Sequence, residues 1–192
     1  MLPAVHSWSP VVAFFSMLLA GCEPMVTTTT SYDVLFRSGV VSEFGYAASG
    51  GEMPVIVIGN PFTAVKQVVD QAVVDAMQGH VYGNRVRFVN APEAAGAKPG
   101  YAVVMMFGAG SGTLAHAVCS SRRNTPAVVD GDASSVLAIF CGGGDARSWA
   151  YSRTSRASSP ADTVFRDLIA QATWAMLPPR DDDRRHNIDF GR

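Results

Sequence analysis

The spacing of hydrophobic positions changes several times along the chain, and each change marks an element. Val55-Ile56-Val57-Ile58 is a short, continuous, β-branched run, the pattern of a strand buried on both faces, and Gly59-Asn60-Pro61 stops it. Phe62, Val65, Val69, Ala72, Val73 and Ala76 then recur at three- and four-residue spacing, while Lys66, Gln67, Asp70 and Gln78 fall elsewhere. That period predicts an amphipathic helix over residues 61 to 78, with Asn60 as its cap, Pro61 in its first position and Gly79 just past its end. Residues 85–89 and 101–107 have strand character, the second run being built of Val, Met and Phe, and the Gly- and Pro-rich NAPEAAGAKPG loops between them. Residues 135–141 and 147–154 are also strand-like. Gly142-Gly143-Gly144-Asp145 joins them as a hairpin turn, so they are expected to pair antiparallel. A second helix is expected with Ser159 as its cap, Pro160 in its first position and Asp162 in its third, a capping-box-like start. Phe165, Leu168, Ile169, Ala172, Ala175 and Met176 form its apolar face, and Pro178-Pro179 ends it.

Two amphipathic helices and a mostly antiparallel sheet predict an α+β fold, a two-layer sandwich with both helices on one face. A single domain over residues 32–177 is expected, beginning with an irregular arm over 32–53. Residues 22–31 are polar and Thr-rich and predict a tether. Residues 178–192 hold four Arg and four Asp in the last thirteen positions with nothing to form a core, which predicts a disordered charged tail.

Ahead of the domain, Val11 to Ala20 is a charge-free run of ten residues, half the roughly 20 a membrane-spanning helix needs. Its length and position suit the apolar region of an export signal. The run ends in Leu19-Ala20-Gly21-Cys22, which closely resembles the lipobox of bacterial lipoproteins. The resemblance implies that residues 1–21 are a lipoprotein signal peptide, that the Cys22 thiol receives a diacylglycerol, that the chain is cut before it and that the new amino terminus is acylated. Each buried methylene contributes about 0.8 kcal/mol, so two or three acyl chains anchor permanently where one would be marginal. The resemblance also implies a location on a membrane facing the periplasm, and Glu23 in place of Asp favours the outer membrane if the source has two. The leader departs from an ordinary export signal in having no Lys or Arg, only His6, as a mis-assigned start codon would leave it. The order strand, helix, several strands, helix is similar to that of small α+β domains in envelope lipoproteins of unknown function, a topological likeness that carries no residues across.

Fifteen Lys and Arg against sixteen Asp and Glu give no net field to gather nucleic acid. The three cysteines change the picture more. With Cys22 lipidated, Cys119 and Cys141 remain as an even pair in an oxidising compartment, which favours a disulfide worth about 3 kcal/mol in the chain-entropy model. The other reading is two separate buried thiols. Neither has a second Cys at zinc-ligand spacing.

Tests for chemistry mostly fail, and no catalytic residue, metal ligand or cofactor is expected. In Gly108-Ala109-Gly110-Ser111-Gly112-Thr113 the last position should be Gly for a dinucleotide fingerprint, a P-loop would need a Lys, and Ala109 stands where a nucleophile elbow needs Gly. No two of the histidines, His80 and His116 included, are spaced to share a metal, and Asp130-Gly131-Asp132 suits a turn. One constellation survives. In residues 147–153 large and small side chains alternate, so a strand there puts Arg147, Trp149, Tyr151 and Arg153 on one face. Either these rings form a glycan- or peptide-binding surface, or they pack under the helices with the arginines reaching past the sheet rim. The expected function is a lipid-anchored envelope protein with a non-enzymatic binding or assembly domain. Its partners would be the membrane and an envelope protein or peptidoglycan, with the oligomeric state left open. The alternative is an envelope hydrolase acting on cell-wall material.

Overall fold

The β-branched and apolar runs pair into one six-stranded sheet, and helices lie against both of its faces. A computed structural model describes residues 26–31, 37–81, 85–90, 96–109, 112–121, 135–155 and 157–177. In chain order the elements are β1 (Thr27–Ser31), α1 (Arg37–Ala47), β2 (Glu52–Ile58), α2 (Lys66–Met77), β3 (Arg87–Val89), β4 (Tyr101–Phe107), α3 (Ala115–Ser121), β5 (Ser135–Gly142), β6 (Asp145–Arg153) and α4 (Thr163–Met176). The strand order is β1-β6-β5-β4-β2-β3. The pairs β1–β6, β5–β6 and β4–β5 are antiparallel, whereas β2 runs parallel to both β4 and β3. The fold is α+β with a mixed, open sheet.

Strand alternation divides the core in two. Val103, Met105 and Phe107 of β4 and Val136, Ala138 and Phe140 of β5 point to one face, where they meet Phe44 of α1, Val73 and Met77 of α2, and Phe165, Leu168, Ile169 and Met176 of α4. Val104 and Met106, with Leu137, Ile139 and Cys141, point to the other face and meet Ala115, Val118 and Cys119 of α3. The two helices expected from periodicity, α2 and α4, do share a face and pack on each other.

Several boundaries differ from the sequence expectation. Helix α2, expected from residue 61, begins at Lys66. The Asn60 side chain accepts from the Phe62 N–H at 3.1 Å and donates to the Ala64 carbonyl at 2.8 Å, and this local turn holds the intervening residues outside the helix. In α4 the cap is Asp162, not Ser159: its carboxylate accepts from the N–H of Val164 at 3.0 Å and from Ser158. These hydrogen bonds, Ser158's first, hold the Asp162 carboxyl below its ordinary pKa.

Two flanking segments expected to be irregular are ordered. Thr27 to Ser31 of the expected tether is strand β1, because four β-branched threonines find a partner in β6, in register from Thr27 opposite Arg153 to Ser31 opposite Trp149. Much of the expected arm over 32–53 is α1 followed by the start of β2. RSGVVSEFGYA holds two glycines and little helical periodicity, so α1 depends on burying Phe44 and Ala47. The Phe44 ring sits edge-on to Phe140 at 5.2 Å. The expected signal peptide 1–21, Cys22 and the tail 178–192 lie outside the described residues.

Candidate functional site

Strand β6 carries the constellation that the sequence singled out. It follows β5 through the Gly143-Gly144 turn, where both glycines have positive φ (62° and 92°), the backbone that a tight hairpin requires. Along β6 the small residues Ser148, Ala150 and Ser152 are buried, while Trp149 and Tyr151 are half-buried and Arg153 is exposed. Trp149 lies opposite Ile139 and Tyr151 opposite Leu137, so both rings stand on the α3 side of the sheet. Helix α3 half covers them: the His116 imidazole meets the Trp149 ring edge-to-face at 5.9 Å, and His116 Nδ1 lies 3.9 Å from Asp145 Oδ1.

Arg147 does not join this row. The β5–β6 register slips by one residue between Phe140 and Cys141, because Ala146 pairs with Cys141 and Ser148 with Phe140. Arg147 is the extra residue of this bulge, and a bulge re-aims its side chain. Its guanidinium Nε lies 3.1 Å from Glu43 Oε1 of α1, on the opposite side of the sheet. The expected face of four large residues is therefore broken at Arg147. Tyr101 donates its hydroxyl to the same Glu43 oxygen at 3.1 Å, and burial first, then this bond, raises the Tyr101 pKa above the ordinary phenol value. Gly142 makes room for the group, since a Cβ there would lie 2.5 Å from the Tyr101 ring and 3.1 Å from Arg147 Nε. The Tyr46 ring, 60% exposed, meets Tyr101 edge-on, and Lys98 Nζ lies 5.5 Å from the Tyr46 ring centre. Sequence reasoning missed Glu43 and Tyr101 because α1 itself was not expected.

Cys119 and Cys141 are disulfide-bonded, with Cα atoms 5.6 Å apart, and the bond pins α3 to β5 beside Trp149. At the far edge of the sheet, the outward N–H and carbonyl of Phe88 in β3 are both taken by the Gln78 side-chain amide, at 3.2 and 2.9 Å. Next to it, Arg87 pairs with Glu52, and this ion pair followed by the Gly96 N–H lowers the Glu52 pKa. Among the described residues, no group of three or more His, Cys, Asp or Glu could hold a metal ion, and no helix is long and apolar enough to cross a membrane. Asp130-Gly131-Asp132 lies outside the described residues, as do Gly110 and Ser111 of the glycine-rich stretch.

No family model matches the chain, and no curated protein matches it. Among solved structures it is similar to a PelC dodecamer from Paraburkholderia phytofirmans, at 15% identity and a TM-score of 0.43 over 81% of this chain and 100% of that one. A point variant of that dodecamer is similar at 14% identity with the same TM-score and coverage.

Proposed function

We propose that this chain is a lipid-anchored lipoprotein of a bacterial cell envelope, with Cys22 as the acylated first residue of the mature protein and an α+β domain that acts as a binding or assembly module in the periplasm. The observation that carries the reading is Leu19-Ala20-Gly21-Cys22 at the end of a charge-free run of ten residues. The Cys119–Cys141 disulfide supports it, since such bonds persist in exported, oxidising compartments. Glu23 favours the outer membrane in an envelope that has two. The half-buried rings of Trp149 and Tyr151 are the candidate contact surface for an envelope protein or peptidoglycan. The test is metabolic labelling with an alkyne fatty acid. The wild-type chain should take up label and Cys22→Ser should not; equal labelling of the two would overturn the proposal.

A further inference from the structure

The end of the sheet nearest the anchor can be followed strand by strand. Thr27 lies opposite Arg153, Arg153 opposite Ser135, the next residue Val136 opposite Phe107, and the preceding Met106 opposite Ile58. These residues form one rim, reached by the start of β1 and by the carboxyl ends of β2 and β4. Helices α2 and α4 begin at the same rim: Lys66 Nζ reaches back to the Val57 carbonyl at 3.0 Å, and the Phe165 ring packs on Phe107 and Phe62. The opposite rim carries the β5–β6 hairpin, Tyr101 and Tyr46.

Resting on the lipoprotein reading, we infer that this first rim is a membrane seat that lies against the phospholipid surface, so that the hairpin rim points away from the bilayer. Three residues separate Cys22 from Val26, whose side chain already packs against the core. Four peptide steps span at most about 14 Å, so an acylated Cys22 leaves the start of β1 no room to stand far from the headgroups. The side chains at the rim fit that neighbour. Val65 and Val68, one helical turn apart at the start of α2, are 65% and 57% exposed, an aliphatic pair placed where it can enter the interface. Arg153, opposite Thr27, is exposed and suits anionic headgroups. Among the described carboxylates at the starts of these helices, Asp70 is paired with Lys66 and Asp162 caps α4, while Asp167 is exposed.

The test uses the full-length lipoprotein, purified from membranes and reconstituted into vesicles of phosphatidylethanolamine and phosphatidylglycerol that carry a headgroup nitroxide. Because the native pair is held as a disulfide and Cys22 by its lipid, a single added thiol takes an environment-sensitive fluorophore. Labels at Val65→Cys and Arg153→Cys should be quenched several-fold more than one at Tyr46→Cys. Equal quenching at the three sites, or stronger quenching at residue 46, would overturn the seat, as would a residue-65 label shielded by a second copy of the chain and detected by energy transfer between copies. Intact mass of each sample separates the two claims. Acylated protein without the quenching gradient rejects the seat alone, while protein lacking acyl chains rejects the anchor and the seat with it.

Discussion

The two faces of the sheet are held in different ways. On one face, three helices close over a continuous core in which Phe44, Phe107, Phe140, Phe165, Leu168 and Ile169 are fully buried. On the other, seven residues of α3 cover Ile139 and Val104, and a covalent bond to β5 holds that short helix in place. A helix of two turns is too short to persist by its own hydrogen bonds, so the second face depends on a cross-link where the first depends on buried area. The face with the thinner cover is also the one that leaves Trp149 and Tyr151 half open.

Substitutions that load each face separately should break or sharpen this contrast. The largest loss is expected on the first face: Phe165→Ala removes a ring packed against both Phe62 and Phe107 and should cost about 3 to 5 kcal/mol in urea melts. Replacing both Cys119 and Cys141 with Ser should cost about 3 kcal/mol. Its signature is local: amide exchange should rise in α3 while α4 stays protected, and a uniform rise across both helices would show that the disulfide serves the whole fold rather than one face. Trp149→Ala should cost about 2 kcal/mol, below the roughly 3 to 5 kcal/mol of a fully buried aromatic. A thermal melt that matches wild type would make Trp149 a free contact group, and a loss as large as that of Phe165→Ala would remove it from the candidate surface. The smallest effect should have the opposite sign. Ser148 Oγ is buried with no hydrogen-bond partner among the described residues, so Ser148→Ala should raise stability by up to about 1 kcal/mol.

What the sequence made legible follows the same division. Strand β6 and helices α2 and α4 were readable because apolar and polar positions repeat with a period over nine or more residues, and β2, β4 and β5 because their apolar residues run on without a break. The cysteine arithmetic pointed to the pair that is bonded. Elements whose existence depends on a distant partner were not readable. TTTTS shows no alternation and becomes β1 only by pairing with β6, about 120 positions along the chain. Helix α1 has two glycines and depends on the pocket that receives Phe44, and α3 is a short piece between glycine-rich and polar stretches. At the candidate surface, alternation correctly set Trp149 and Tyr151 on one side and Ser148, Ala150 and Ser152 on the other. It failed at Arg147, where no glycine or proline announces the bulge and where the partner, Glu43, sits on the helix that periodicity did not reveal.

If Cys22 carries the lipid that holds this domain at a membrane, the mature amino terminus must show it. Trypsin finds no Lys or Arg before Arg37, so one peptide decides the matter. Mass spectrometry of protein purified from membranes should find a peptide that begins at Cys22 and ends at Arg37, heavier than its residues by a diacylglycerol and an acyl chain. An unmodified peptide running from Met1 to Arg37 would show that the chain is neither cut before Cys22 nor acylated there.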